Sequence, residues 1–273
     1  MRARWTVNLL LLIVVALLSF TVRRELEQDR RVPTLTELAP ETISEIRLER
    51  PDAPLIELLN DTEGWRMESP YPVAANSTRI EQLVRIAATQ VLRSMAEGGA
   101  AERLGLEPAS ALLSLDGLIL RFGDTEPIDH HRYVAVGGLV HLIGDGFRHH
   151  LMASAEDYVS PRLLPQDFVP TAGSLNGEAL DDPQLQELTR LTAERVVALG
   201  EKEIEGRLLR LSESKDGRNL RLLVSADGRR WTRLDLRLVY ELAEPPLWVP
   251  AAEETSPAAD EPSANDGRAE TWP

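Results

Sequence analysis

The histidines are the most concentrated chemical feature of this chain, because all five lie between positions 130 and 150. The cluster consists of His130, His131, His141, His149 and His150, with Asp129, Asp145, Glu156 and Asp157 nearby. Imidazoles that converge at one end of a hairpin would form a zinc or nickel site. The candidate metal ligands are therefore His130, His131, His141 and His149.

Strand geometry and ligand spacing both weigh against a metal at these histidines. Adjacent residues of a strand point to opposite faces, so at most half of the cluster can converge on one ion. The spacing also matches no recognised pattern of zinc ligands. We therefore expect a polar loop rim here, with no metal and no cofactor.

Two tryptophans are candidates for the wall of a binding cleft. Trp65 and Trp231 each follow a glycine-containing turn and begin a predicted strand. Large amphipathic rings in such positions can line a cleft. The more common role of a strand tryptophan is packing in the core or across a hairpin, and that alternative stays open for both residues.

No pattern in the sequence singles out a catalytic residue. Acidic side chains are abundant, so a carboxylate pair for glycoside or peptide cleavage can be imagined, but none stands out. The phosphate-binding loop, GxSxG, HExxH and the dinucleotide fingerprint are all absent. The chain has no cysteine, which excludes disulfides, thiol catalysis and cysteine-ligated metals. We predict a protein that is not an enzyme.

The amino-terminal run from Trp5 to Val22 predicts a membrane helix. Its 18 uncharged positions would reach roughly 27 Å as a helix, close to the ~30 Å hydrocarbon core of a bilayer. We interpret residues 5–22 as an uncleaved signal-anchor, with residues 1–4 in the cytoplasm. Counting Lys and Arg alone favours the opposite orientation, but that rule is weak for long domains. We expect a single-pass protein of the bacterial inner membrane with its soluble domain in the periplasm.

Beyond the span, the fold class predicted is α+β, with a mainly antiparallel sheet and one or two packed helices. A linker at 23–40 precedes an α+β domain at 41–172 and a second β-rich subdomain or repeat at 173–243. From Glu244 onward Pro, Ala, Glu and Ser dominate, which predicts a disordered acidic tail at 244–273. The formal charge of −14 argues against nucleic acid as a partner.

Alternating apolar residues predict strands over 43–49, 55–59 and 65–67. Thr78 and Glu81 fit a capping box, so a helix is predicted from Thr78 to the glycines at 98 and 99. Asp116-Gly117 and Gly137-Gly138 predict two-residue hairpin turns. Both faces of the second hairpin are apolar, which indicates strands inside a sheet that is covered on both sides.

The later part of the chain predicts an antiparallel meander. Its strands are expected at 196–199, 206–211, 220–224 and 231–240, after a helical turn or two around Leu185 and Leu188. Glu194-Arg195-Val196, and Gly228 before Trp231, echo the first unit around Ile43 and Trp65. This echo suggests an internal duplication.

Several stretches in this order resemble the bacterial family called domain of unknown function 4340. They are Ile46-Arg47-Leu48, Gly64-Trp65 with Pro70, the predicted helix, and Leu104 to Pro108 before Leu120 to Gly123 and Arg132 to Val134. The resemblance implies one amino-terminal membrane helix and an exported α+β domain. Some members are encoded beside gliding-motility-type ABC transporter genes. It supplies no catalytic residues.

Three functions remain open from the sequence. The first is a membrane-anchored, non-enzymatic periplasmic binding or accessory protein, with a partner in an ABC-type transport or envelope-assembly complex. The second is an anchored envelope hydrolase or metal-binding enzyme that uses the hairpin between His130 and His150. The third is a structural scaffold that crosses the membrane once.

Overall fold

A computed structural model describes residues 13, 15–20, 33–200 and 205–249 of the chain. The greater part of the expected span at 5–22, most of the linker and the tail from residue 250 lie outside the described residues. Among those that are described, no helix has the length and apolar character needed to cross a bilayer. The description below therefore concerns the two β-rich halves and the helices that pack on them.

The first half is a nine-stranded antiparallel sheet. Its strands are β1 (Glu45–Glu49), β2 (Ile56–Asp61), β3 (Gly64–Ser69), β4 (Val73–Ala74), β5 (Val91–Ala96), β6 (Ala111–Leu115), β7 (Leu118–Thr125), β8 (Arg132–Val136) and β9 (Leu139–Ile143). They lie in the order β4-β3-β2-β1-β6-β7-β8-β9-β5. The predicted class, antiparallel sheet with few helices, is confirmed.

Both dipeptide turns predicted for this half are present. Asp116 and Gly117 join β6 to β7 with φ of 46° and 84°, a conformation that glycine adopts without strain. Gly137 and Gly138 join β8 to β9. The second hairpin is also covered on both sides as predicted, because the outward-facing Ala135 and Val140 pack under a segment that includes Leu106.

The second half is a seven-stranded antiparallel sheet. Its strands are β10 (Ala172–Leu175), β11 (Glu178–Ala179), β12 (Arg195–Ala198), β13 (Arg207–Ser212), β14 (Asn219–Val224), β15 (Arg230–Arg233) and β16 (Leu238–Glu241). They lie in the order β11-β10-β13-β14-β15-β16-β12. The predicted meander is confirmed for β13 to β16. The single strand predicted at 231–240 is wrong, because a turn at 234–237 divides it into two strands.

Three short α-helices pack on the sheets. They are α1 (Ser77–Val84), α2 (Arg148–Leu151) and α3 (Asp182–Leu188), and four 3₁₀ turns lie at Pro40–Thr42, Arg85–Ala88, Glu102–Leu104 and Ala155–Tyr158. The helical turns predicted around Leu185 and Leu188 are confirmed as α3, whose Pro183 stands in the first turn after the Asp181 cap.

The first helix is shorter than the sequence predicts. Its N-cap is Asn76, whose side chain accepts from the Arg79 amide, and not Thr78. The helix ends at Val84, a 3₁₀ turn follows, and Thr89 is extended. Val91 begins strand β5, because pairing with β9 outweighs the weak helical preference of this segment. The 3₁₀ winding also buries Ile86, which lies off the helical stripe.

One continuous hydrophobic core joins the two halves. It includes Ile46 and Phe122 from the first sheet and Trp231 and Tyr240 from the second. The carboxyl-terminal boundary predicted at 244 is too early, since Val249 is buried in this core. Trp248 packs edge-on against Trp231 of the second sheet, and Val249 is buried beside it in the core.

Candidate functional site

The structure distributes the histidines over separate elements. His141 lies in β9, 9% exposed, with its Nδ1 2.8 Å from the Ser94 hydroxyl. Burial lowers the pKa of His141, which favours the neutral imidazole. His149 and His150 lie on α2, and their ring centroids are 3.8 Å apart. The four candidate ligands, His130, His131, His141 and His149, therefore do not converge on one point in the described structure.

One histidine does meet two carboxylates, in the loop between β7 and β8. The ligand atoms of Glu126, Asp129 and His131 all lie within 4.8 Å of one another. His131 Nδ1 is 3.7 Å from Glu126 Oε1, and the Glu126 amide donates to the His131 carbonyl at 2.7 Å. The clustering of histidines in the sequence points to His131 but not to Glu126. The pattern that indicates this site is the presence of three possible metal ligands, at positions 126, 129 and 131, in one loop.

The two tryptophan candidates occupy different environments. Trp231 is fully buried, its Nε1 donates to the Gly228 carbonyl at 2.8 Å, and Trp248 lies edge-on to its ring. Trp231 is therefore a core residue and not a cleft wall. Trp65 is half-buried at the margin of the core.

A cleft of about 320 Å³ lies where the two halves meet. Its first wall is the loop before β4, and its second wall is the end of β12 with the turn between β15 and β16. The lining residues are Pro70, Tyr71, Pro72, Ala198, Leu199, Asp235, Leu236 and Arg237. Neither tryptophan candidate is among them, and no local sequence pattern links residues so far apart.

Tyr71 fixes the first wall of the cleft. It stands between two prolines, which restrict the backbone on both sides. Its hydroxyl donates to the Glu156 carboxylate. Burial, and then this hydrogen bond, raise the pKa of Tyr71 well above the ordinary value for a phenol. The ring is therefore a neutral, immobilised surface.

The second wall contains two charged side chains. Asp235 is paired with Arg233, and Arg237 has no ion pair among the described residues. Arg233 holds the Asp235 carboxylate with hydrogen bonds of 2.9 and 2.6 Å. Burial alone would raise the pKa of Asp235, but the hydrogen bonds from Arg233 outweigh it and the net direction is downward. Arg237 is exposed at the cleft and makes no ion pair with any residue the structure describes.

These groups can bind a ligand, but they do not make a catalytic set. The negative charge of Asp235, the carboxylate that lines the cleft, is balanced by Arg233. The raised pKa of Tyr71 keeps its phenol protonated. Within the described part of the chain, the cleft lining contains no serine, threonine or histidine that could act as nucleophile or base. Apolar side chains with one free guanidinium are suited to recognition.

No protein-family model, no curated protein and no solved structure matches this chain.

Proposed function

We propose that this chain is a membrane-anchored, non-enzymatic binding protein of the bacterial periplasm, an accessory of an ABC-type transport or envelope-assembly complex. The partner engages the cleft between the two halves through an extended segment that carries an acidic side chain. The observation that supports this proposal is the lining of the cleft, in which Arg237 stands free beside the apolar surface of Tyr71 and Leu236.

The charge of Arg237 gives the proposed partner its chemistry. The chain as a whole has a formal charge of −14, so an acidic partner is repelled from most of its surface. A free guanidinium in the cleft is a local exception, and it can form a bidentate pair with a carboxylate. Electrostatic complementarity of this kind fixes register and partner choice more than affinity.

The cleft is also stiff enough to select a partner. Tyr71 is tied to Glu156, Asp235 is tied to Arg233, and Arg233 Nη1 lies 3.5 Å from the Leu163 carbonyl in the connection between the halves. Walls whose side chains are already ordered lose little conformational entropy on binding. Recognition by a preformed groove is the mode that this geometry supports.

Charge reversal at one arginine tests the proposal. The full-length chain, purified in detergent from its own host, should retain its co-purifying envelope proteins in wild type and lose them in Arg237→Glu. Arg221→Glu is the matched control, since Arg221 is also exposed on the second sheet and has no ion pair among the described residues. Equal co-purification with both variants would reject the cleft as the binding site.

The location of the domain needs its own test. Alkaline phosphatase fused after Pro250 should be active, because the proposal places this end of the chain in the periplasm. A reporter that works only in the cytoplasm should be inactive at the same position. The reverse pattern would place the domain in the cytoplasm and would exclude a periplasmic partner.

A further inference from the structure

We propose that Glu126, Asp129 and His131 form a site for a divalent transition-metal ion, with zinc as the ion that fits the donors best. The site lies in the loop between β7 and β8 and does not depend on the function proposed for the cleft. In this role His131 supplies a ring nitrogen, and the two acidic residues supply one carboxylate oxygen each.

The distances between the donors suit a small cation. Zinc binds nitrogen and carboxylate oxygen at about 2.0–2.2 Å, which places tetrahedral ligands roughly 3.4 Å from one another. The three donor atoms here lie within 4.8 Å of one another. Asp129 is exposed, so a rotation of its side chain can close the remaining distance. Three protein ligands leave a fourth position for water.

The two carboxylates leave local negative charge that a cation would balance. Neither carboxylate has an arginine or lysine partner among the residues that the structure describes, and the ion-pair contact of Glu126 is with His131 alone. The nearest guanidinium in sequence, Arg132, is already committed. It binds both oxygens of Asp145 at 2.7 and 2.8 Å and also donates to the Gly123 carbonyl.

The loop that carries the ligands is held at both ends. Thr125 pairs with Arg132 at the last register position of β7 and β8. The Glu126 amide then donates to the His131 carbonyl, which closes the loop directly above that pair. Pro127 restricts the backbone between them. Two of the three donors, Glu126 and His131, are thus placed side by side before any ion binds.

The remaining histidines make worse sites. His141 is buried, and its Nδ1 is already hydrogen-bonded to Ser94. The rings of His149 and His150 on α2 lie against each other at an angle of 44°, and no carboxylate pairs with them in the described residues. His130 is next to His131 but is not one of the converging donors. It therefore provides a matched control.

Zinc titration of variants tests the site. Isothermal titration calorimetry with zinc chloride on the full-length chain in detergent should show one site in wild type. His131→Gln and Asp129→Asn should each weaken binding at least about tenfold, because each removes a ligand. His130→Gln should bind within about twofold of wild type, since the residue contributes no ligand.

Thermal denaturation supplies a second readout that detects variants that fail to fold. Without metal, His131→Gln and His130→Gln should melt with wild type, because both side chains lie at the loop rim. Zinc should raise the melting temperature of wild type and His130→Gln, and leave His131→Gln unchanged. No zinc binding by wild type, or equal binding by both variants, would overturn the proposal. Loss of binding in the His149→Gln, His150→Gln double variant would place the site on α2 and overturn it equally.

Discussion

The two halves of the molecule follow the same order of strand pairing. In each half the first strand pairs with the strand that opens the meander, β1 with β6 and β10 with β13. The strand after the helix, β5 or β12, lies at the far edge against the last strand, β9 or β16. A helix with a side-chain N-cap stands at the same place in both, as α1 and α3.

The similarity extends to the short segment that enters each half. Val91 donates to the Pro33 carbonyl at 2.8 Å, and Ala193 donates to the Pro161 carbonyl at 2.8 Å. Isolated bridges join Thr34 to Gln90 and Arg162 to Thr192. An entering segment therefore caps the start of the edge strand in each half, so the duplication suggested by the sequence has a structural counterpart.

The differences between the halves coincide with the candidate sites. Only the first half has the additional strands β3 and β4, and the loop before β4 makes one wall of the cleft. The turn between β15 and β16 is longer than the Gly137-Gly138 turn of the first half, and it makes the other wall. The zinc ligands lie in a loop that is a tight turn around Gly228 in the second half. The strands that the two halves share form the core. The loops and turns that differ between the halves contain the cleft and the proposed zinc ligands.

The largest expected effect separates the two tryptophans. Trp231→Ala should lower the free energy of unfolding by about 3–5 kcal/mol, because it empties a fully buried volume in the shared core. Trp65→Ala should cost less than about 2 kcal/mol, since part of that ring is in water. Urea unfolding followed by circular dichroism measures both. Equal losses would mean that the additional strands are as essential to the core as the second sheet.

The tryptophans also show how far the sequence could lead. Alternation and turn dipeptides located most strands, because a period of two and a Gly-containing turn are local signals. The sequence suggests a duplication, but the residues that it aligns do not lie on equivalent strands. Trp65 lies on β3, which the second half lacks, whereas Trp231 lies on β15, the counterpart of β8.

The correct alignment of the two halves is indicated by the segments that enter them. Pro33-Thr34-Leu35 in the first half resembles Pro161-Arg162-Leu163 in the second. The cleft could not be predicted at all. It joins Tyr71 to Arg237, and no local pattern records a contact over that separation. Of the proposed zinc ligands, the sequence pattern includes His131 and the neighbouring Asp129, but not Glu126.

The second effect compares two buried arginines, Arg132 and Arg233, whose carboxylate partners differ in exposure. Asp145→Asn should cost about 3 kcal/mol, because it leaves Arg132 charged in a site where the two side chains are 7% and 14% exposed. Asp235→Asn should cost about 1 kcal/mol, because that carboxylate is 49% exposed and water can replace it. The same urea titrations decide. A larger loss from Asp235→Asn would show that the cleft wall carries more of the fold than its exposure indicates.

The third effect concerns the end of the second half. Deleting residues 250–273 should leave stability unchanged, because the composition of this segment, dominated by Pro, Ala, Glu and Ser, predicts no packed structure. Deleting 245–273 should cost about 2 kcal/mol, since it also removes Val249 and the Trp248 ring that packs on Trp231. Melting curves of the two truncations measure the difference. Identical curves would mean that 245–249 adds nothing to the core.

The smallest effect is a change in the free energy of unfolding on Tyr→Phe substitution, which we expect to have opposite signs at two buried tyrosines. The Tyr240 hydroxyl is buried without a hydrogen-bond partner in the described structure, so Tyr240→Phe should stabilise the protein by about 1 kcal/mol. The Tyr158 hydroxyl donates to the His150 carbonyl, so Tyr158→Phe should destabilise it by about 1 kcal/mol. Urea midpoints compare them directly. Destabilisation by Tyr240→Phe would show that its hydroxyl does have a partner.

Alkaline pH gives an independent measure of the same tyrosine. Burial raises the pKa of Tyr240 to about 12, whereas an unfolded tyrosine titrates near ~10. Between these values the unfolded chain has lost a proton that the folded chain retains, so stability is complete below about pH 10 and falls as the pH rises toward 12. Tyr240→Phe should reduce this fall without abolishing it, because burial also raises the pKa of Tyr71 and Tyr158. Urea midpoints measured from pH 8 to 11 should therefore keep a constant offset from wild type up to about pH 10 and a growing offset above it, and parallel curves throughout would mean that Tyr240 is accessible to solvent.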